Sequence, residues 1–266
     1  MKLKEILDTL PDTDKNVCLA LSGGLDSTVL VHILVQKYGK DKVKALSFDF
    51  GQRHSIELDM AKKTVDKIGI SFDTIKLDYL KEISKENCAL IADSELKPKT
   101  AEENAGDPQV NTYVPFRNLQ FAAITAAYAE SNDCAYIFQG LNAVDEYGYW
   151  DTSTAFRDAV NNVLQLNRQN VVQFVTPFVE LYKEDELRIS KELSEQLGYD
   201  ILETTWSCYN GERPSGKECG LVGKCNTCTE KINGYIMAGF TNEEIMNKFE
   251  VESEQQLIDY RKEIEG

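Results

Sequence analysis

At 266 residues, 42% hydrophobic and 27% charged, the chain suits one large α/β domain or a domain with a small appendage. Its 29 basic and 44 acidic residues leave a formal charge of −15, which argues against nucleic-acid binding, where a basic face supplies most of the affinity. No apolar run reaches the roughly 20 residues of a membrane span, and residues 1–6 carry no signal-peptide apolar region, so a cytoplasmic protein with a small-molecule substrate is expected. Seven cysteines in a reducing compartment point to a bound metal rather than to disulfides.

The chain begins with a short amphipathic helix that turns Leu3, Ile6, Leu7 and Leu10 inward. Val17 to Leu21 is an apolar run that reads as a buried strand, and a helix follows from Leu25 to Gln36. Val43 to Phe48 is a second strand, Ser55 to Ile68 a second helix and Phe72 to Leu77 a third strand. That alternation implies a doubly wound parallel sheet with helices on both faces, whose ligands sit at the carboxyl ends of the strands. Residues 79–112 are polar and aperiodic and read as a flap near the site. A helix from Leu119 to Glu130, a strand from Ala135 to Gln139, a helix from Thr154 to Leu166, a strand from Val171 to Val175 and a helix from Lys183 to Leu197 complete an α/β domain over residues 1–200. Residues 201–266 form a C-terminal helical region, with helices at about residues 229–238 and 253–264, the second capped by Ser253.

Between the first strand and the first long helix stands Ser22-Gly23-Gly24-Leu25-Asp26-Ser27. Two glycines permit a tight turn and close approach of a ligand, and the free N–H groups and dipole of the new helix favour an anion. Ser22 and Ser27 add hydroxyl donors, so the turn is a phosphate cradle. It lacks the Gly-Lys-Ser/Thr ending of a Walker loop and the Gly-x-Gly-x-x-Gly dinucleotide spacing. It resembles instead the loop of the ATP pyrophosphatases, which bind the pyrophosphate end of ATP and release AMP. Four thiols, Cys208, Cys219, Cys225 and Cys228, suggest one closed tetrahedral Zn²⁺ site of structural type, with Cys225-Asn226-Thr227-Cys228 as its knuckle; an iron–sulfur cluster and unligated thiols are the alternatives. Cys18, Cys88 and Cys134 read as packing residues.

Five stretches together resemble the QueC-like 7-cyano-7-deazaguanine synthases: residues 22–27, Phe-Asp-Phe-Gly-Gln-Arg-His at 48–54, Thr-Tyr-Val-Pro-x-Arg-Asn at 112–118, Gly-x-Asn-x-x-Asp at 140–145, and Thr-Trp-Ser-Cys-Tyr at 205–209 with its later cysteines. The resemblance implies adenylation of a carboxy-deazaguanine by ATP with Mg²⁺, attack by ammonia, and a second ATP-dependent step to the nitrile. It implies a nucleotide site at residues 22–27 with Asp49, and catalytic roles for Asp26, Ser27, Arg117 and Lys183. Arg53, Arg117, Asn118, Asn142, Asp145, Tyr149 and Asp151 are the implied substrate contacts. The chain departs from the family pattern where Gly-Tyr-Pro-Asp-Cys-Arg is replaced by Gly148-Tyr149-Trp150-Asp151-Thr152-Ser153, and where Phe116 replaces a glycine. On that ground residues 149–153 are expected to set the acceptor, and two further readings stand: a ligase passing the adenylate to a protein amine, and a partner protein that has lost catalysis. A homodimer is compatible with the sequence.

Overall fold

The structure is a computed structural model and describes every residue except 54, 101–102, 104–108, 143–148 and 212. Helix α1 (Leu3–Thr9) precedes a five-stranded sheet whose strands are β1 (Asn16–Ala20), β2 (Val43–Asp49), β3 (Ser71–Lys76), β4 (Cys134–Phe138) and β5 (Gln173–Val175). Their order is β3-β2-β1-β4-β5 and every pairing is parallel. Parallel neighbours need crossover helices. These are α2 (Leu25–Tyr38), α3 (Ile56–Ile68), α5 (Arg117–Ser131) and α6 (Thr154–Leu164), with α4 (Asp78–Ser84) inserted before α5.

The alternation of side chains along β1 explains the layers. Val17, Leu19 and Leu21 enter one core, while Cys18 enters the other with Leu46, Phe48, Ile137 and Phe174. Helix α2 is apolar all round, with Val29, Leu30, Val31, Ile33 and Leu34 wholly buried. Such a helix must be enclosed on every side. It packs against α7 (Lys183–Leu197) and the 3₁₀ turn Ile201–Thr204. His32 sits inside, bonded to the Thr28 carbonyl and the Tyr199 hydroxyl; burial lowers its pKa, and it is a packing residue.

Residues 201–266 join the first core. Trp206, Cys208, Ile232, Tyr235 and Phe249 pack with Leu25 and Leu187. The region carries α8 (Asn226–Met237), α9 (Asn242–Lys248) and α10 (Glu254–Glu265). Ser253 caps α10 as expected, accepting from the Gln256 amide.

Two segments differ from expectation. Residues 78–84 are helical and Cys88, Ala89 and Ile91 are fully buried, so this part of the stretch 79–112 is packed core and not a free flap. Two turns of helix are too short to display a period, and the apolar residues that anchor it answer to a neighbouring strand end through the Gln52–Ile91 bridge. Helix α9 is the second difference; Thr241 and Glu244 form a capping box that its sequence does display.

Candidate active site

The loop of residues 22–27 leaves the end of β1, where the strand order reverses between β2 and β4. Open α/β sheets bind ligands at that point. Gly23 has φ +86°, and a Cβ there would meet the Glu57 carbonyl oxygen at 2.0 Å, so only glycine fits between β1 and α3. Ser27 Oγ accepts from the Ser22 amide at 3.1 Å and lies 3.0 Å from Ser22 Oγ. Gly24 N donates to Ser22 Oγ at 3.2 Å. The C-terminal region clamps the loop from outside: Trp206 N donates to the Gly23 carbonyl at 2.9 Å, and Leu25 N donates to Ser207 Oγ at 3.4 Å. Gly140, after β4, passes so close that a Cβ would stand 3.1 Å from Asp26.

The cleft above this loop is lined by Ser22, Gly24, Leu25, Asp26, Ser27, Arg53, Arg117, Asn118, Tyr149 and Lys183, ten of the residues picked out by sequence. Lys183 Nζ, nearly buried, is 2.5 Å from Asp26 Oδ1. Burial works to raise the Asp26 carboxyl; the Lys183 ammonium, with the neighbouring Glu186 carboxyl, outweighs it and holds the carboxyl below its ordinary range. Arg117, at the start of α5, makes no ion pair among the described residues. Its guanidinium lies 5.8 Å from the Phe50 ring centre and 5.9 Å from that of Phe121. A desolvated guanidinium between rings is a receptor for a phosphate or a carboxylate.

Other expected residues serve at one remove. Arg53 lines the cleft, and its Nη2 donates to the Ser94 and Leu96 carbonyls, both at 2.7 Å, which ties residues 94–96 down. Asp49 does not reach the cleft; its Oδ1 accepts from the Gly51 amide at 3.2 Å and closes the turn after β2. Asn142 is fully buried and donates to Glu186 Oε1. Asp151 accepts from the Asn118 amide at 3.2 Å, satisfying a free N–H of the first turn of α5, and is buried away from the cleft, which raises its pKa. Asp145 lies outside the described residues.

Of the four departures from the family pattern, only Thr152 lines the cleft, beside Tyr149. Ser153 caps α6, accepting from the Phe156 amide. Trp150 and Phe116 are half exposed and meet edge to face, ring centres 5.5 Å apart. Phe116 has φ +54°, a left-handed conformation that suits glycine and costs a phenylalanine. Arg157 pairs with its neighbour Asp158 at 2.8 Å and does not enter the cleft.

Several lining groups were not singled out in the sequence, Glu57, Lys231 and Ser207 among them. Glu57 is half-buried at the start of α3; burial pushes its carboxyl up to about 7 against the attraction of Arg117. Its signal was its place one turn into a helix that opens at a strand end. Lys231, three residues after Cys228, is buried and donates to Glu218 Oε1 at 2.6 Å. Ser207 stood in the 205–209 stretch that carries the family resemblance, in which only Cys208 was given a role. Glu186, buried behind the cleft, shares a helical face with Lys183 three residues earlier, which is the signal that could have found it.

Cys208, Cys219, Cys225 and Cys228 are all buried, and their sulfurs lie within 4.8 Å of one another. Tetrahedral Zn²⁺ with bonds of about 2.3 Å sets its sulfurs roughly 3.8 Å apart, so the cluster has the size of a four-thiolate metal site. Asn210 Nδ2 donates to Cys219 Sγ at 3.4 Å, as outer groups of such sites do. Among the described residues, no helix is long and apolar enough to cross a membrane.

A parallel sheet with a Ser-Gly-Gly-x-Asp-Ser loop at its switch point defines a PP-loop ATP pyrophosphatase domain. The NMN synthetase of Francisella tularensis has the same fold, with TM-score 0.50 and 16% identity over 98% of this chain and 92% of its own. The model of the family "Queuosine biosynthesis protein QueC" matches residues 15–239, and the chain belongs to that family. The 7-cyano-7-deazaguanine synthase of Picrophilus torridus is 37% identical over 228 residues, covering 84% of this chain and 87% of its own. Those of Methanocaldococcus jannaschii and Caldicellulosiruptor bescii are 32% and 35% identical, covering 82% and 83% of this chain and 94% and 92% of theirs.

Proposed function

We propose that the chain is a 7-cyano-7-deazaguanine synthase: it activates the carboxylate of 7-carboxy-7-deazaguanine with ATP, adds ammonia and dehydrates the amide to the nitrile. One observation carries this reading, the Ser22–Ser27 cradle facing Arg117, which has no ion pair among the described residues, across one cleft, in a chain matched to its family from residue 15 to 239. The cradle suits the leaving pyrophosphate: hydroxyls and helix N–H groups oppose the charge that develops as the α-phosphate is attacked. Lys183, next to the loop, adds a cation there. Arg117 suits the substrate carboxylate, held until its oxygen attacks and the acyl adenylate forms. Ammonia then attacks the acyl carbon and AMP leaves.

Mg²⁺ would enter with ATP and shield the triphosphate, and Asp26 is the carboxylate nearest the cradle. The four cysteines would hold Zn²⁺ with no open position, which makes it structural. The substrates are small molecules, and no feature of the cleft favours a protein amine or a second copy of the chain. The test is incubation with ATP, Mg²⁺, ammonia and 7-carboxy-7-deazaguanine, with products identified by mass. The nitrile together with AMP supports the reading; AMP with an amide or a peptide adduct and no nitrile refutes it.

A further inference from the structure

Behind the cleft, Glu186 is wholly buried on α7, three residues past Lys183. Its Oε1 accepts from Asn142 Nδ2. Its Oε2 is buried with no hydrogen-bond partner among the described residues, and the neighbouring group is the carboxylate of Asp26, whose Oδ1 is taken by Lys183. Two carboxyl groups therefore meet beside a single ammonium that contacts only one of them. If both were ionised, an uncompensated charge would be sealed in the core next to a like charge, which desolvation and repulsion both oppose. A proton on Glu186 Oε2 removes that cost and supplies the donor the pair needs.

We propose that Glu186 is a positioning residue for the phosphate cradle: it donates a carboxyl–carboxylate hydrogen bond that fixes Asp26, and so leaves Lys183 free to turn towards an incoming phosphate. This rests on the nucleotide reading of the cleft. Burial and the Asp26 charge act in the same direction, both raising the Glu186 carboxyl well above its ordinary range. Among the described residues, the charged groups that act on the pair are Asp26, Lys183 and, further off on α8, Lys231. Without Glu186, Asp26 has Lys183 as its one strong partner, and a nucleotide must compete with Asp26 for that lysine. With it, Asp26 keeps a partner when Lys183 moves, and the cradle faces its anionic ligand with one acidic charge fewer behind it.

Two measurements test this. Infrared difference spectra of the ligand-free protein, wild type minus Glu186→Gln at pH 7.5 (chosen as roughly neutral), should show the carbonyl stretch of a neutral carboxyl; its absence, with an ionised carboxylate band in its place, overturns the proposal. This readout needs no catalysis, so a band in a protein that neither binds ATP nor releases AMP would sink the nucleotide reading and leave the carboxyl pair standing. The second measurement compares Glu186→Gln, which keeps both donor and acceptor, with Glu186→Met, which keeps only volume. Expected is rescue: kcat/KM for AMP release within a few-fold of wild type for Gln, and about tenfold or more lower for Met, with equal thermal midpoints. Loss in both variants, or in neither, overturns the positioning role. Binding of α,β-methylene-ATP with Mg²⁺ should follow the same ranking.

Discussion

Asp26, Lys183 and Arg117 divide the charge of the cleft, and their separate roles can be told apart by substitution. Asp26→Ala removes the group that holds Lys183, so AMP release should fall at least about a hundredfold; the fold should survive, because Asp26 sits at an accessible turn with no apolar role. Circular dichroism with an AMP assay checks both halves. Arg117→Lys keeps the charge but loses the planar fork, and should raise KM for the carboxylate substrate about tenfold or more while KM for ATP changes less. Glu57 supplies a pH signal. Its carboxyl, held up to about 7 by burial, is neutral below that pH and negative above it. A negative Glu57 repels an anionic ligand, so nucleotide affinity should decline as pH rises from 6 to 8, which brackets that value roughly symmetrically. Calorimetric titration of wild type and Glu57→Gln decides it: the variant should lose that slope, and an unchanged slope assigns the pH dependence to another group. In stability the sign is the same. A carboxyl with its pKa raised in the folded state favours folding less as pH rises from the unfolded value through about 7.

At the scale of elements, the segments legible in the sequence are those whose burial has a simple period. Helix α2 and the strands β1 and β2 are apolar because they are enclosed, and residues 22–27 advertise their turn through two glycines. What escaped reading is set by contacts between distant segments. Asp49, Asn142 and Asp151 sit in motifs that face the site in sequence order, yet each closes a turn or satisfies a buried partner, because a strand end needs its own polar groups bonded before it can offer any to a ligand. Arg53 likewise could not be told from a ligand residue until the 94–96 carbonyls were seen beside it. The substitutions at 116 and 150 form one device. Phe116 keeps the left-handed backbone that a glycine would take freely, and the Trp150 ring lies against it. Phe116→Gly should therefore change stability by less than about 1 kcal/mol, because strain relief offsets the lost ring contact; Phe116→Ala keeps the strain, loses the contact and should destabilise by about 1 kcal/mol or more. Urea unfolding of the two variants separates them. Since neither ring lines the cleft, neither variant should alter the product.

Over the whole molecule, the thiol cluster and the loop of residues 22–27 are one mechanical unit. The 205–208 segment carries two bonds to the loop, from Trp206 N to Gly23 and from Leu25 N to Ser207, and ends in Cys208, the first of the four thiols. On the other side of the cluster, Cys228 lies on the same helix as Lys231, which lines the cleft and is bonded to buried Glu218. Glu218 also receives Lys248 at 3.6 Å, so α8 and α9 are tied to the same buried carboxylate. Folding energy supplied by a structural metal would therefore be felt in the cleft. The purified protein should contain about one Zn²⁺ per chain, as a single four-thiolate site requires. Cys228→Ser should abolish metal retention and lower the thermal midpoint. The same variant should also weaken Mg²⁺–ATP binding measured below its own melting temperature, because residues 205–208 lose the anchor that presses Ser207 and Trp206 onto the loop. A variant that loses the metal and melts earlier, yet binds nucleotide as tightly as wild type, would show that the cradle is shaped by β1, α2 and α3 alone and that the 205–208 clamp is dispensable.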